Sequence, residues 1–228
     1  MLAHGILAQS QYAAEAAGPW TPPGTPILYS DANNAPSGTG GVWPDLSGNG
    51  YDATANGGMT YTSAGDASYF EHDRTAYSHR WDSAMWTNHS PLTAFSVVAI
   101  YSPIFYSNDQ QKILNWYSAG QWVMQPDFQT TDTGITFMRD SGGTYQNSTG
   151  TGAWAAGTWD TYTSIWTGTN LDFYRGTSLI ATTGISSIYY PGSAQGLWTG
   201  ENGNRYPYGK LAAVIVYDYA ISLSLIHI

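Results

Sequence analysis

The sequence predicts an all-β domain, and three observations carry the prediction. Of its 228 residues 15% are aromatic, with 10 Trp and 18 Tyr, yet only 10% are charged, against about a quarter in an ordinary soluble domain. A chain rich in Gly, Thr, Tyr and Trp and poor in Lys, Glu and Leu suits strands and turns better than helices. From Ile27 onward, short β-like runs alternate with Gly/Asn/Asp/Ser turns, as in a sandwich or barrel. No helix-period pattern exceeds two turns, and no internal repeat is visible. With 42% apolar residues, the chain can bury one sizeable core without division into two domains.

Residues 1–17 read as an Ala/Gln-rich tail able to form a short helix. Residues 18–26, with four prolines, read as a linker, since Pro removes backbone donors and fixes φ. Residues 27–222 are the expected domain. Its strongest strand candidates are Ala94–Tyr101 and Leu211–Tyr217, apolar on both faces and therefore expected at the centre of a sheet. Trp159–Thr167 and Leu171–Ala181 alternate more cleanly, the second breaking at Arg175-Gly176, where Gly permits a hairpin turn.

The most informative run is Val42-Trp43-Pro44-Asp45-Leu46-Ser47-Gly48-Asn49-Gly50-Tyr51-Asp52-Ala53-Thr54. Trp43 and Leu46 are expected to bury as anchors, and Asn49-Gly50 to supply left-handed turn residues. Asp45 is placed to accept the amides of Ser47 and Gly48 in an Asx-turn. Trp43, Asp45, Ser47, Gly48, Asn49 and Gly50 thus form a structural turn motif. The run resembles the W-x-D-x-S-G-N-G signature of laminin-G-like domains in the concanavalin A-like superfamily. Segments in the matching order are Leu28–Asn34, Tyr69–Tyr77 (where Glu71 and His72 depart from the family pattern), Leu92–Tyr101, Asn170–Gly176 and Tyr208–Asp218. The resemblance spans roughly residues 27–222 and implies a two-sheet antiparallel jelly-roll sandwich. It does not name a ligand, because one fold hosts many functions.

Composition excludes some partners. A net charge of −9 with seven scattered Lys and Arg offers no basic footprint for nucleic acid. No apolar stretch reaches the roughly 18 residues of a membrane span, and the N-terminus lacks the basic region of a signal peptide. Without Cys there are neither disulfides nor thiolate metal sites.

Catalysis finds little support. The related glucanases resemble one another in Glu-x-Asp-x-x-Glu on one strand. Here Glu71-His72-Asp73 is followed by Ala76 where the second Glu belongs, so the acid/base pair of a glycosidase is incomplete. No nucleophile elbow is present, and His72, His79 and Asp82 match no metal-ligand spacing. No cofactor is required. Calcium is the one metal considered, because laminin-G-like domains sometimes hold it at a rim. Asp31 and Asp45 are its candidate ligands, against turn-closing roles for both. For a saccharide, the aromatic and amide side chains of two segments read as loops stand out: Trp81, Trp86, Trp198, Asn202 and Tyr206. Against that, a Trp in a sandwich is more often core than ligand contact.

The expected function is a non-catalytic adhesion or recognition module, binding a glycan or cell-surface component within a larger assembly. The motif string also resembles bacteriophage structural components, which implies a virion or cell-surface setting. The alternatives are a glycoside hydrolase and a structural decoration domain without small ligand. Residues 223–228, Leu-Ser-Leu-Ile-His-Ile, match one reading frame of a transposon-end sequencing adapter. The natural chain is therefore expected to continue differently past Ser222, and His227 carries no functional weight.

Overall fold

The computed structural model describes residues 21–35, 41–56, 60–64, 67–73, 80–85, 92–104, 112–116, 123–124, 133–139, 144–151, 157–188, 195–199, 208–222 and 224. At 112–116, 123–124, 133–139 and 195–199 the backbone alone is described. The N-terminal tail at 1–17 lies outside these residues, as does the terminal hexapeptide apart from Ser224.

The first strands are β1 (Leu28–Asp31), β2 (Val42–Trp43), β3 (Ala53–Asn56), β4 (Thr60–Ala64), β5 (Ala67–Asp73), β6 (Arg80–Ser83) and β7 (Phe95–Pro103). They are followed by β8 (Lys112–Trp116), β9 (Val123–Met124), β10 (Thr133–Arg139), β11 (Tyr145–Thr151) and β12 (Asp160–Trp166). The last are β13 (Asn170–Arg175), β14 (Ser178–Gly184), β15 (Gln195–Thr199) and β16 (Tyr208–Tyr217). Among the described residues there is no α-helix; a 3-10 turn spans Ala32–Asn34, and Met85 and Ser224 are also in 3-10 conformation.

All pairings among the described residues are antiparallel. The larger sheet runs β14-β13-β12-β7-β16-β5-β4, and the smaller β2-β3-β6-β15-β8-β9. A separate ribbon joins β10 to β11. The ten-residue β16 is the long spine of the larger sheet. One edge pairs with β7, while β5 and β1 share the other, β5 at residues 208–211 and β1 at 213–216.

The two strands expected at the centre are there. In β7 every residue but Ile100 is buried, and in β16 Leu211 through Tyr217 all are. The reason lies in the two faces. One face of the larger sheet, with Phe95, Val97, Ala99, Tyr101, Tyr162, Trp166, Leu171, Phe173, Val214 and Val216, packs on Trp43, Ala53 and Trp81 of the smaller sheet. The other face holds a second cluster of Tyr29, Val98, Ile165, Tyr174, Ile215 and Tyr217, closed by Ile221. A strand buried on both faces loses the apolar/polar alternation of a half-exposed one. The β13–β14 hairpin turns at Gly176, whose φ of 53° is in the left-handed region, as expected.

Of the expected linker at 18–26, residues 21–26 are described. Within it Pro22 and Pro26 are buried, and Pro23 O accepts the Tyr217 hydroxyl at 2.9 Å. Ile27 N then donates to Val216 O at 2.7 Å. Residues 22–26 are thus a packed strap on the larger sheet. Proline suits such a strap because a segment outside the ladder has no N–H to lose.

Candidate functional site

The loop from Trp43 to Ala53 is organised by one carboxylate. Asp45 Oδ1 accepts the amides of Tyr29 (3.1 Å) and Ser47 (2.9 Å), and Oδ2 accepts the Ser47 hydroxyl (2.9 Å) and the Tyr51 amide (2.9 Å). The Asx-turn to Ser47 is as read from the sequence. The links to Tyr29 and Tyr51 tie the loop to the first strand and to its own far end. Asp52, which drew no attention in the sequence, returns the favour by accepting the Asp45 amide at 2.8 Å. Its only sequence signal is its place within the motif.

Asn49 acts through its side chain. Its Nδ2 donates to Ile27 O at 3.1 Å and to Ser47 Oγ at 3.1 Å. Gly48 (φ 88°) and Gly50 (φ 75°) have left-handed backbone, where a side chain would be strained. Trp43 is fully buried as expected, but Leu46 is 38% exposed. With the loop closed by hydrogen bonds at both ends, Trp43 suffices as its apolar anchor.

The two candidate calcium ligands sit among donors. Asp31 is 3% exposed, with Oδ2 accepting the Tyr29 hydroxyl at 3.0 Å and Oδ1 the Asn33 amide at 2.8 Å, which caps the 3-10 turn. Four donors surround Asp45. Hydrogens aimed at Asp45 take up the four lone-pair sites a cation would use, whereas Asp31, with one donor on each oxygen, serves as the buried cap of the 3-10 turn. Among the described residues no group of three His, Cys, Asp or Glu gathers to hold a metal.

The saccharide candidates fare unevenly. Trp81 is corrected: it lies on β6 rather than a loop, and is 1% exposed. Its ring packs 4.9 Å from Phe70 and 5.7 Å from Trp43, with Phe70 also 5.0 Å from Trp43. This three-ring cluster fills the space between the sheets, because a Trp on the inner face of a short strand removes more apolar area from water than any alternative there. Among the described residues the indole N–H groups of Trp43 and Trp81 have no hydrogen-bond partner. Trp198 is also on a strand, β15, which lies between β6 and β8 in the smaller sheet. Trp86, Asn202 and Tyr206 lie outside the described residues.

Electrostatics on the larger sheet centre on tyrosines. Burial raises the phenol of Tyr29, helped by the negative charge of Asp31 and the hydrogen bond to it. Burial likewise raises Tyr162, with Asp160 adding to it, and Tyr174, with Asp172 adding to it. Tyr217 is pushed up to about 12, by burial first and Tyr219 second. All four are neutral hydroxyls at physiological pH. These groups act as structural donors, and none has been moved toward neutrality as a general base would need.

No protein-family model matches the chain, and no curated protein matches it. Solved structures do. The binding domain of Paraclostridial Mosquitocidal Protein 1 superposes with a TM-score of 0.68 at 14% identity, over 89% of this chain and 51% of that one. The binding domain of botulinum neurotoxin DC in complex with rat synaptotagmin II gives 0.66 at 12% identity, over 89% and 50%. The same toxin's binding domain in complex with SialylT gives 0.60 at 12% identity, again over 89% and 50%. This chain therefore spans about half the length of the solved structures it matches. The shared fold is a β-sandwich found in binding domains.

Proposed function

We propose that the chain is a non-catalytic recognition module that binds a glycan or another cell-surface component. The observation that carries this reading is the superposition of 89% of the chain on binding domains of clostridial toxins, one of them in complex with SialylT. Two features support it. The described titratable groups whose affinity for protons shifts are buried tyrosines held in their neutral form. Aromatic residues also supply 15% of the chain, a stock from which saccharide contacts are commonly drawn.

The finer assignment is a laminin-G-like domain of the concanavalin A-like superfamily, in a virion or cell-surface structural protein and attached to a larger assembly. It rests on the Trp43–Gly50 motif and the order of the flanking segments. The donor-filled surroundings of Asp45 favour a module that works without calcium at that loop. A glycan array probed with the whole chain, with calcium and with chelator, tests the reading, run beside an assay for reducing-sugar release. Binding without sugar release supports it; sugar release from bound glycans overturns it in favour of a hydrolase. Silence on the array would favour a structural decoration domain.

A further inference from the structure

Away from the residues the sequence offers as ligand or metal contacts, three distant segments meet on the outer face of the larger sheet. Tyr69 and Glu71 of β5 alternate with the core residue Phe70 and so point away from the smaller sheet. Lys210 of β16 is the cross-strand partner of Glu71 on one side and of Ser102 on the other. Its ammonium lies 4.9 Å from the centre of the Tyr69 ring. Trp159, just ahead of β12, packs edge-on against Tyr69 at 5.6 Å. Tyr69, Glu71, Trp159 and Lys210 are all partly exposed.

Trp159 differs from the other tryptophans whose side chains are described, since Trp43, Trp81 and Trp166 are core residues. The sandwich does not need its ring for packing between the sheets. Glu71 and Lys210 face each other across the strands, yet neither makes a side-chain hydrogen bond or ion pair among the described residues. The cation over Tyr69 holds the ammonium in place with its three donors unspent. The result is a partly exposed aromatic pair beside one open acceptor group and one open donor group.

From this arrangement we infer that Tyr69, Glu71, Trp159 and Lys210 form a binding platform for a neutral pyranose. The inference rests on the proposed glycan-binding function and gives it a place and a ligand class. The apolar C–H face of the sugar lies against the indole of Trp159, which offers area at little entropic cost. Vicinal hydroxyls donate to the Glu71 carboxylate and accept from the Lys210 ammonium, fixing orientation as a few polar groups do in an otherwise apolar site. Charge selects the neutral class. Glu71 cancels Lys210 locally, and the net charge of −9 repels acidic saccharides at longer range.

The test uses the whole chain on an array of neutral and sialylated glycans, followed by titration calorimetry of the strongest hit with Trp159→Ala, Glu71→Gln and Lys210→Gln. Thermal melting of each variant reports whether the fold survives, and Leu179→Ser, at an exposed position on β14, serves as a remote control. The expected result is a neutral hit whose affinity falls about tenfold or more in Trp159→Ala, the scale of losing an aromatic anchor, with melting and the control unchanged. A neutral hit that all three variants keep within about twofold overturns the platform and leaves glycan binding in place. Selective capture of sialylated glycans overturns the neutral class. An array that captures nothing overturns glycan recognition and the platform with it.

Discussion

Asp45 accepts the backbone amide of Tyr29 at 3.1 Å across 16 residues of sequence. That bond joins a loop belonging to the smaller sheet to the first strand of the larger one, so a turn motif also acts as a tie between layers. Ser30 Oγ reinforces it by donating to Pro44 O at 3.2 Å, and Asn49 Nδ2 by donating to Ile27 O at 3.1 Å. The motif is stable because its carboxylate is saturated: four donors on two oxygens leave no unsatisfied group at a partly buried position.

Replacing Asp45 should therefore cost more than a surface carboxylate would. Hydrogen bonds to a charged group contribute about 1.5–3 kcal/mol each when intact, though not additively, so Asp45→Ala is expected to lower stability by about 3 kcal/mol. Asp45→Asn keeps the shape but turns one acceptor into a donor facing other donors, and should recover little of the loss. Urea unfolding of both variants measures this. An Asn variant as stable as the parent would show that the charge is dispensable.

The same saturation predicts indifference to calcium. A ligand that binds only the folded state raises the melting temperature with its concentration. Excess calcium or chelator should leave the melting curve of this chain where it was. A rise with calcium that Asp45→Asn abolishes would mean that the loop opens its donor shell to take the ion.

Much of the fold was legible because its rules are local. The apolar runs at 95–101 and 211–217 carry no alternation, which places them between covered faces, and Gly176 marks a hairpin by needing positive φ. Asp45 was legible through its spacing to Ser47. What escaped depends on partners far along the chain. Nothing near Pro23 announces that Tyr217, 194 residues away, will hold it. Trp81 sits in a four-residue strand, too short for alternation to say which face is inward, so core and ligand contact read alike. Tyr69, Trp159 and Lys210 come from three separate segments and meet only through the β5–β16–β7–β12 order of the sheet.

Placing Trp81 in the core makes a prediction that separates packing from binding. Trp81→Ala removes the ring that Phe70 and Trp43 lean on and should cost about 3–5 kcal/mol, as large-to-small core changes do. Trp81→Phe keeps a ring and deletes an indole N–H that has no acceptor among the described residues, which offsets part of the lost area. It should fold with a modest drop in melting temperature and bind glycans as the parent does. Loss of glycan binding in a folded Trp81→Phe protein would return Trp81 to the ligand site.

Alkaline pH should weaken the fold through its tyrosines. The folded-state value of Tyr217 is about 12 against an ordinary 10, and Tyr29, Tyr162 and Tyr174 shift the same way. Between those values the unfolded chain has released protons that the folded chain still holds, so stability falls with rising pH. The contribution is complete below pH 10 and is lost as pH climbs through about 12. Melting temperatures across this window should decline steadily, with tyrosinate absorbance appearing together with unfolding. A flat profile would mean that these phenols ionise within the native fold.

The strap at residues 22–26 gives the last prediction. It lies over the end of the larger sheet, where the Tyr217 hydroxyl donates to Pro23 O at 2.9 Å and the ring of Tyr219 stands 5.3 Å from that of Tyr217. Gly24 has a φ of 77°, and a β-carbon there would collide with the Tyr219 hydroxyl. Ser96 holds the same region from below, donating to Tyr219 O at 2.9 Å and accepting the Ile221 amide at 3.0 Å. Tyr217→Phe removes one hydrogen bond and should cost about 1 kcal/mol. Gly24→Ala adds left-handed strain of about 1–3 kcal/mol and forces Tyr219 aside. If the strap is part of the fold, the two effects should be less than additive, since each alone loosens the contact that the other depends on. A double variant whose loss equals the sum would mean that Pro23 and Gly24 are held independently, and that the strap is two contacts rather than one unit.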